Sequence, residues 1–520
     1  MPAWLKNAVF YEIYPQSFCD TNGDGIGDIP GITQKLDYIS SLGCNALWLN
    51  PVYDSPFLDA GYDVRDHKKV APRYGTNDDL YELFREAHAR SIKVILDLVP
   101  GHTAIDHPWF LESKKAQKND LSGRYIFTPS VWDSPDGYRW VSGTTERDGN
   151  FLVNFFSTQP ALNFGFHNIT HPAWQNPPNH PDCLATLEAL KDIIRFWLDR
   201  GADGFRVDMA DSLVKNDEEK TATAALWRSV REMLDNEYPE AVLVSEWSHP
   251  DRAINKAGFH ADFYLDHWYN GYHNLVRSRE NNVNRSYVAK GAPGDITMFT
   301  SDFVPKYECV RGNGYIGIIT CNHDTPRLTR HLDLSELKLA YALIFTLPGV
   351  PFLYYGDEIG MSFVEGLVSK EGGYSRTGTR TPMQWRPGKN YGFSEANPDL
   401  LYLPQDSQTG APTVLDQTDD PDSLLNTVKG LIALRSRYVD LNADGPFEVI
   451  HAFSGDPLFV YRRGSLLVMA NPGSDTKCFG LYGAARHGQE LKGEVQYCLG
   501  QVAVESGNVA LSPQSFAVIA

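Results

Sequence analysis

GFRVDMAD, residues 204–211, is a short apolar run that breaks into a carboxylate at Asp208. VLVSEW, residues 242–247, breaks in the same way at Glu246, and IGIITCNHD, residues 316–324, at Asp324. Apolar, β-branched runs of this length read as strands. Five more occur: AVFYEIYP (8–15), CNALWLNP (44–51), KVILDLVP (93–100), DFYLD (262–266) and PFLYYGDE (351–358). Between them lie DDLYELFREAHARS (78–91), LATLEALKDIIRFWLDR (184–200), ATAALWRSVREMLDN (222–236) and SELKLAYALIF (335–345), whose apolar residues recur at helical spacing. Helix-start signals precede the first at Thr76-Asn77-Asp78 and the last at Asp333-Leu334-Ser335. Eight strands alternating with helices predict an α/β fold, a (β/α)8 barrel, whose strand C-termini converge on one face.

Two stretches depart from the alternation. Residues 104–182, between the third strand and the helix before the fourth, are rich in Pro, Asn, Asp and aromatics without periodicity, and long irregular segments in compact domains usually serve function. A second excursion, roughly residues 360–420, follows the eighth strand. After LLNTVKGLIALRSRY (424–438) the texture changes to the β segments FEVIHAF, LFVYRR, SLLVMAN, GEVQYCL and FAVIA, which predict a C-terminal antiparallel β-sandwich.

With 42% apolar and 22% charged residues the 520-residue chain has ordinary globular composition. A net charge of −18 without a basic cluster argues against a nucleic-acid partner. The longest apolar stretch, residues 339–356, is broken by two prolines and two glycines, so no membrane partner is expected. Seven cysteines at irregular spacing, with no CxxC pair, suit reduced thiols. The N-terminus shows no apolar leader, which makes a cytoplasmic location the expectation, as a monomer or homodimer.

A lone Asp after a strand is ordinarily a turn former or helix cap. Three carboxylates brought to one barrel face are a different matter, because two of them flanking an acetal oxygen are what glycoside hydrolysis requires. GFRVD, VSEW, NHD and the earlier DLVPGH (97–102) resemble, in order, the motif regions of the α-amylase superfamily, glycoside hydrolase family 13. SRTGTRTPMQW (375–385) and DTNGDGIGD (20–28) resemble its oligo-1,6-glucosidase and α-glucosidase branch. The resemblance runs from the first strand to about residue 440. It implies a barrel divided as 1–103 and 183–440, an inserted domain B at 104–182 that walls one side of the pocket, and a C-terminal domain at 441–520.

It further implies a retaining, exo-acting α-glucosidase for short α-glucosides. Asp208 is the expected nucleophile, with Arg206 on the same strand face expected to lower its pKa. Glu246 is the expected acid/base. Asp324, His323 and His102 are expected to hold hydroxyls of the sugar being cleaved, Tyr62 in LDAGYDVRDH to stack beneath it, and Asp59 with Arg380 to clasp its distal end; a turn residue and a surface ion pair are the plainer readings of the last two. The alternatives are a transglucosylase or isomerase of the trehalose synthase kind, and an inactive binding subunit, although subunits of that kind lose the carboxylates kept here. No organic cofactor is implied.

Asp20, Asn22, Asp24, the Ile26 carbonyl and Asp28 form the first half of an EF-hand-like pattern, expected to hold one structural Ca²⁺, with Mg²⁺ as the alternative. Gly101 stands where an Asn would serve a calcium between barrel and domain B, so no second metal is expected. Ala161 in QPALN (159–163) replaces an expected Asp. Met209 matches neither residue associated with α-1,6 or α-1,4 preference, which leaves linkage open.

Overall fold

The computed structural model describes residues 1–267, 270–281, 283–373, 376–481 and 493–520. Ser375, the first residue of the SRTGTRTPMQW tract, lies outside them. Eight parallel strands close into a barrel: β1 (Phe10–Ile13), β2 (Ala46–Leu49), β3 (Lys93–Leu98), β4 (Gly204–Val207), β5 (Val242–Ser245), β6 (Ala261–Phe263), β7 (Tyr315–Ile319) and β8 (Val350–Tyr354). Each is one of the eight runs read from the sequence. Closure is direct, with Phe10 of β1 opposite both Ala46 and Phe352.

Aromatic rings fill the interior. Phe10 stacks on Phe352 at 4.4 Å, Phe352 meets Phe263 edge-on at 4.8 Å, and Trp48 lies 5.3 Å from Phe263. Gly317 of β7 leaves room for them, since a Cβ there would come within 2.9 Å of the Phe263 ring. Above this layer the interior turns polar at Glu12, Asn50, Asp97 and Arg206, all buried, and the site stands on that second layer.

Outside the barrel lie α1 (Asn77–Ala89), α2 (Pro181–Leu198), α3 (Thr221–Glu237), α4 (Ile296–Val310), α5 (Leu334–Thr346) and α6 (Leu424–Arg437). Capping boxes Thr76/Asp79 and Asp333/Glu336 start α1 and α5, satisfying backbone N–H groups that have no partner within the helix. The sequence reading passed over α4. It carries Pro305 internally, which interrupts a helical pattern, yet its buried residues Ile296, Phe299, Phe303, Tyr307 and Val310 keep a spacing of three to four.

Residues 104–182 form a small excursion with the hairpin Trp140–Val141/Phe151–Leu152 and a cluster of Ile126, Leu152, Ala161 and Phe166 under Tyr138, Trp140 and Trp174. The C-terminal segment forms two antiparallel sheets. One contains β9 (Glu448–His451), β10 (Phe459–Arg463), β11 (Leu466–Asn471), β13 (Val495–Leu499) and β16 (Ser515–Ile519). The other contains β12 (Lys477–Gly480), β14 (Val502–Glu505) and β15 (Asn508–Leu511). Leu467, Met469, Val509 and Leu511 pack between them. The larger sheet abuts α5, where Arg463 donates to the carbonyls of Thr346 and Asn442, and Arg435 donates to that of Phe345. These guanidiniums satisfy carbonyls that a helix end leaves without partners. No helix among the described residues is long and apolar enough to cross a membrane.

Glu358, just past β8, is fully buried, and its Oε1 accepts from Tyr11 and Tyr38, both at 2.7 Å. Its Oε2 has no hydrogen-bond partner. Burial pushes this carboxyl up to about 7 against the two tyrosine bonds. The folded state thus holds a proton that the unfolded chain releases near pH 4, and stability from this group falls as pH rises from about 4 to 7. Glu358→Gln, which keeps the Oε1 acceptor and removes the charge, should leave the melting temperature at pH 4 unchanged. It should raise it by about 1–3 °C at pH 8 in scanning calorimetry.

Candidate active site

Asp97 on β3 and Arg206 on β4 are directly paired in the barrel register, so both side chains enter the interior at one level. Arg206 Nη1 donates to Asp97 at 2.8 Å and to Asp208 at 3.1 Å, while Nη2 lies 2.8 Å from Glu246 Oε2. One guanidinium thus ties together carboxylates that end two adjacent strands. Backbone bonds hold those ends: Asp208 N–H donates to Leu98 O, and Glu246 N–H donates to Val207 O. Met209 then takes a left-handed conformation, φ 43°, that directs its N–H to Glu246 Oε2 at 2.9 Å. A non-glycine residue there is strained, and such strain concentrates at functional sites.

Asp208, Glu246, Asp324, Asp59, Tyr62 and His102 line one cavity of about 420 Å³. Phe155, Met209, Asp211, Trp247, His249, Leu265, His267 and Arg376 complete the lining. Three of the expected residues stand behind this lining. Arg206 is 1% exposed. His323 is fully buried, with Nδ1 2.9 Å from Glu12 and Nε2 2.7 Å from the Tyr62 hydroxyl and 3.4 Å from Asp324. Arg380 donates to Asp324 at 2.8 Å, to Glu371 at 2.7 Å and to the His323 carbonyl.

Asp59 is met by a different arginine. Arg376 lies 3.2 Å from Asp59 Oδ1 and 2.8 Å from Asp324 Oδ1, bridging the two across the cavity. Gln159 completes the Asp59 shell at 2.8 Å. Sequence reasoning named neither Arg376 nor Gln159, although both lie in the quoted tracts SRTGTRTPMQW and QPALN. Arg376 is four residues before Arg380, and spacing alone does not tell which of the two reaches forward.

The charges around the site differ from the expectation in one respect. Arg206 was expected to lower the Asp208 pKa. Burial and the Glu246 charge outweigh it and raise Asp208 well above the carboxylate range, because a largely buried anion faces another anion as well as the cation. Arg206 is the neighbour that favours the ionised form of Asp208. Asp324 moves the other way: burial would raise it, but His323, Arg376 and Arg380 together bring it far below its usual value. Burial pushes Asp59 up to about 6 against Arg376 and Gln159, and likewise Asp97 up to about 6 against Arg206. It also lowers His102 to about 3. The His102 ring is occupied on both sides, by the Tyr62 carbonyl at 3.1 Å and the Asn154 amide at 3.2 Å. The Tyr62 ring stacks on His323 at 5.3 Å, and its hydroxyl donates to Asp97.

The residues that depart from the family pattern have local reasons. A Cβ on Gly101 would lie 2.7 Å from the Asn154 amide, so that side chain occupies the space an Asn at 101 would need. Lys215 donates to Asn154 Oδ1 at 3.1 Å and to the Ser212 carbonyl at the same seam. Ala161 belongs to the apolar cluster of the inserted segment, where an aspartate would be a buried charge.

In the 20–28 loop the acidic side chains turn onto the loop itself. Asp20 accepts from the N–H groups of Asn22, Gly23 and Gly25 and from Ser394, Asn22 from Asp24 N–H, and Asp24 from Ile26 N–H. Asp28 caps the following helix through Gly31 N–H and binds Thr21. Among the described residues no three His, Cys, Asp or Glu side chains converge as a metal-holding group. None of the loop's residues lines the cavity.

A family model for the α-amylase catalytic domain matches residues 12–444. The trehalose synthase/amylase TreS of Mycolicibacterium smegmatis is 34% identical over 85% of this chain and 78% of its own length. The probable oligo-1,6-glucosidase 2 of Bacillus subtilis is 31% identical over 88% of each chain. Among solved structures, the α-glucosyl transfer enzyme XgtA matches with a TM-score of 0.78 at 26% identity, over 100% of this chain and 99% of that one. A catalytic-domain match that begins in β1 and ends past α6, on a closed barrel whose strand ends gather these carboxylates, makes the chain an enzyme of the α-amylase family, glycoside hydrolase family 13.

Proposed function

We propose that this enzyme is a retaining α-glucosidase that removes the non-reducing glucose of short α-glucosides. What supports the reading is the Asp59–Arg376–Asp324 bridge in the lining of the cavity that also holds Asp208 and Glu246, an arrangement that suits the hydroxyls of a terminal sugar. Glu246 protonates the leaving oxygen as Asp208 attacks the anomeric carbon, giving a glucosyl ester on Asp208 and a free alcohol. Glu246, now deprotonated, takes a proton from the incoming acceptor, which attacks the same carbon and restores both carboxyl groups. Asp324 and Asp59 accept hydrogen bonds from the sugar hydroxyls, and Arg206 steadies the carboxylate charge as it shifts between partners.

A second reading has the acceptor as a sugar, so that the product is a rearranged or extended glucoside. Identity of 34% to a protein named for trehalose synthesis favours it. We also propose that the 20–28 loop binds Ca²⁺ through Asp20, Asn22, Asp24, the Ile26 carbonyl and Asp28. Alternating oxygen donors, and a backbone bent at Gly23 and Gly25 with φ of 77° and 89°, support this.

Maltose and isomaltose digests, followed in time with every product resolved and its linkage assigned, separate the two readings. Hydrolysis gives two glucose per disaccharide and nothing else, whereas trehalose or longer glucosides appearing before glucose accumulates show that a sugar takes the glucosyl group. Asp208→Asn should lower kcat by at least about 10⁴-fold with an unchanged melting profile, and retained activity would reject the nucleophile assignment. Removal of metal by chelator should lower the melting temperature, and added Ca²⁺ should restore it by mass action. Identical melting of a verified metal-free sample before and after Ca²⁺ addition would remove the metal from the proposal.

A further inference from the structure

Glu246 is followed by a turn, Trp247-Ser248-His249, in which Ser248 adopts φ 61°, a left-handed conformation uncommon for a non-glycine residue. Something outside the turn must hold it. On the neighbouring strand β6, Asp262 pairs in register with Ser245 and is 1% exposed. Its Oδ1 accepts from Ser245 Oγ at 2.6 Å, from Trp247 N–H at 3.2 Å and from Ser248 N–H at 3.3 Å. Ser248 Oγ in turn donates to the Phe263 carbonyl at 3.1 Å and accepts from Leu265 N–H at 3.3 Å, stitching the turn to the end of β6. Trp247, His249 and Leu265 line the cavity, whereas Asp262 does not.

We propose that Asp262 is a positioning residue for the acid/base: by gathering the N–H groups of the turn after Glu246 it sets the direction in which that carboxyl meets the leaving oxygen. The proposal rests on Glu246 acting as the acid. Only one oxygen of Asp262 does the gathering, since Oδ2 has no hydrogen-bond partner. The work therefore asks for an acceptor at Oδ1 rather than for a charge. Burial pushes this carboxyl up to about 7, which agrees with a role that a neutral side chain fulfils.

A misdirected acid penalises poor leaving groups and spares those that depart without a proton. The experiment compares Asp262→Ala, Asp262→Asn, Ser245→Ala and Glu246→Gln on two substrates: the disaccharide that wild type turns over, and α-glucosyl fluoride, whose leaving group needs little acid assistance. Asp262→Ala should lower kcat/KM, which reports the steps up to departure of the leaving group, by about 10²-fold on the disaccharide and by less than about threefold on the fluoride. Asp262→Asn should stay within about threefold of wild type on both. Ser245→Ala removes a single donor and should show a smaller loss of the same selectivity; it carries the test if Asp262→Ala lacks a cooperative melting transition. Equal losses of kcat/KM on both substrates would mean general disruption and overturn the proposal, as would no loss on either or a failure of Asn to rescue. Glu246→Gln is the control that separates the two levels. If its kcat/KM too falls equally on both substrates, the acid assignment itself falls, whereas selective loss in Glu246→Gln without selective loss at Asp262 refutes the positioning role alone.

Discussion

The buried guanidinium of Arg206 is the constraint on which the site depends. Three carboxylates, from Asp97, Asp208 and Glu246, lie within hydrogen-bonding range of it, and none would be tolerable in the barrel interior without a cation. Removing the arginine would leave like charges facing one another in a recess where solvent screens them only in part. The register that sets Asp97 opposite Arg206 is fixed by backbone pairing. The electrostatics of the site are thus inherited from strand geometry, while the loops above decide what enters.

Those loops come from distant parts of the chain. The insertion after β3 supplies Asn154, Phe155 and Gln159; the excursion after β8 supplies Glu371, Arg376 and Arg380. Each excursion is held to the strand ends by polar bonds, Asn154 to His102 in the first and Arg376 and Arg380 to Asp324 in the second. Glu371 shows how such an arm is fixed: it accepts from Tyr14 and Gln16 just past β1 while it pairs with Arg380, which touches Asp324. The two excursions are irregular in secondary structure yet specified by side-chain hydrogen bonds.

How much of this could be read beforehand follows from the range of the interactions concerned. Strand runs and helix caps are local. AVFYEIYP and KVILDLVP became strands, and the Thr76 and Asp333 caps formed, because the determining contacts lie within a few residues. The convergence of Asp208, Glu246 and Asp324 followed from topology, since barrel strands end on one face. Helix α4 escaped because Pro305 masks its period. The partner of Asp59 escaped because a choice between Arg376 and Arg380 depends on how a long loop folds back. The sense of the Asp208 shift escaped because proximity to Arg206 was visible in GFRVD, whereas burial and the nearness of Glu246 belong only to the assembled barrel.

The texture change near residue 440 marks a boundary of pattern, and the packing gives it another meaning. Phe459, Tyr461, Val468 and Phe516 belong to the same apolar core as the barrel helices, and Arg463 reaches back to the carbonyl end of α5. The last eighty residues are therefore less an appended module than the outer half of a joint. A chain released before they are made would present a naked greasy flank and an uncapped helix to the cell, so the barrel would have to await its own C-terminus before reaching its final state.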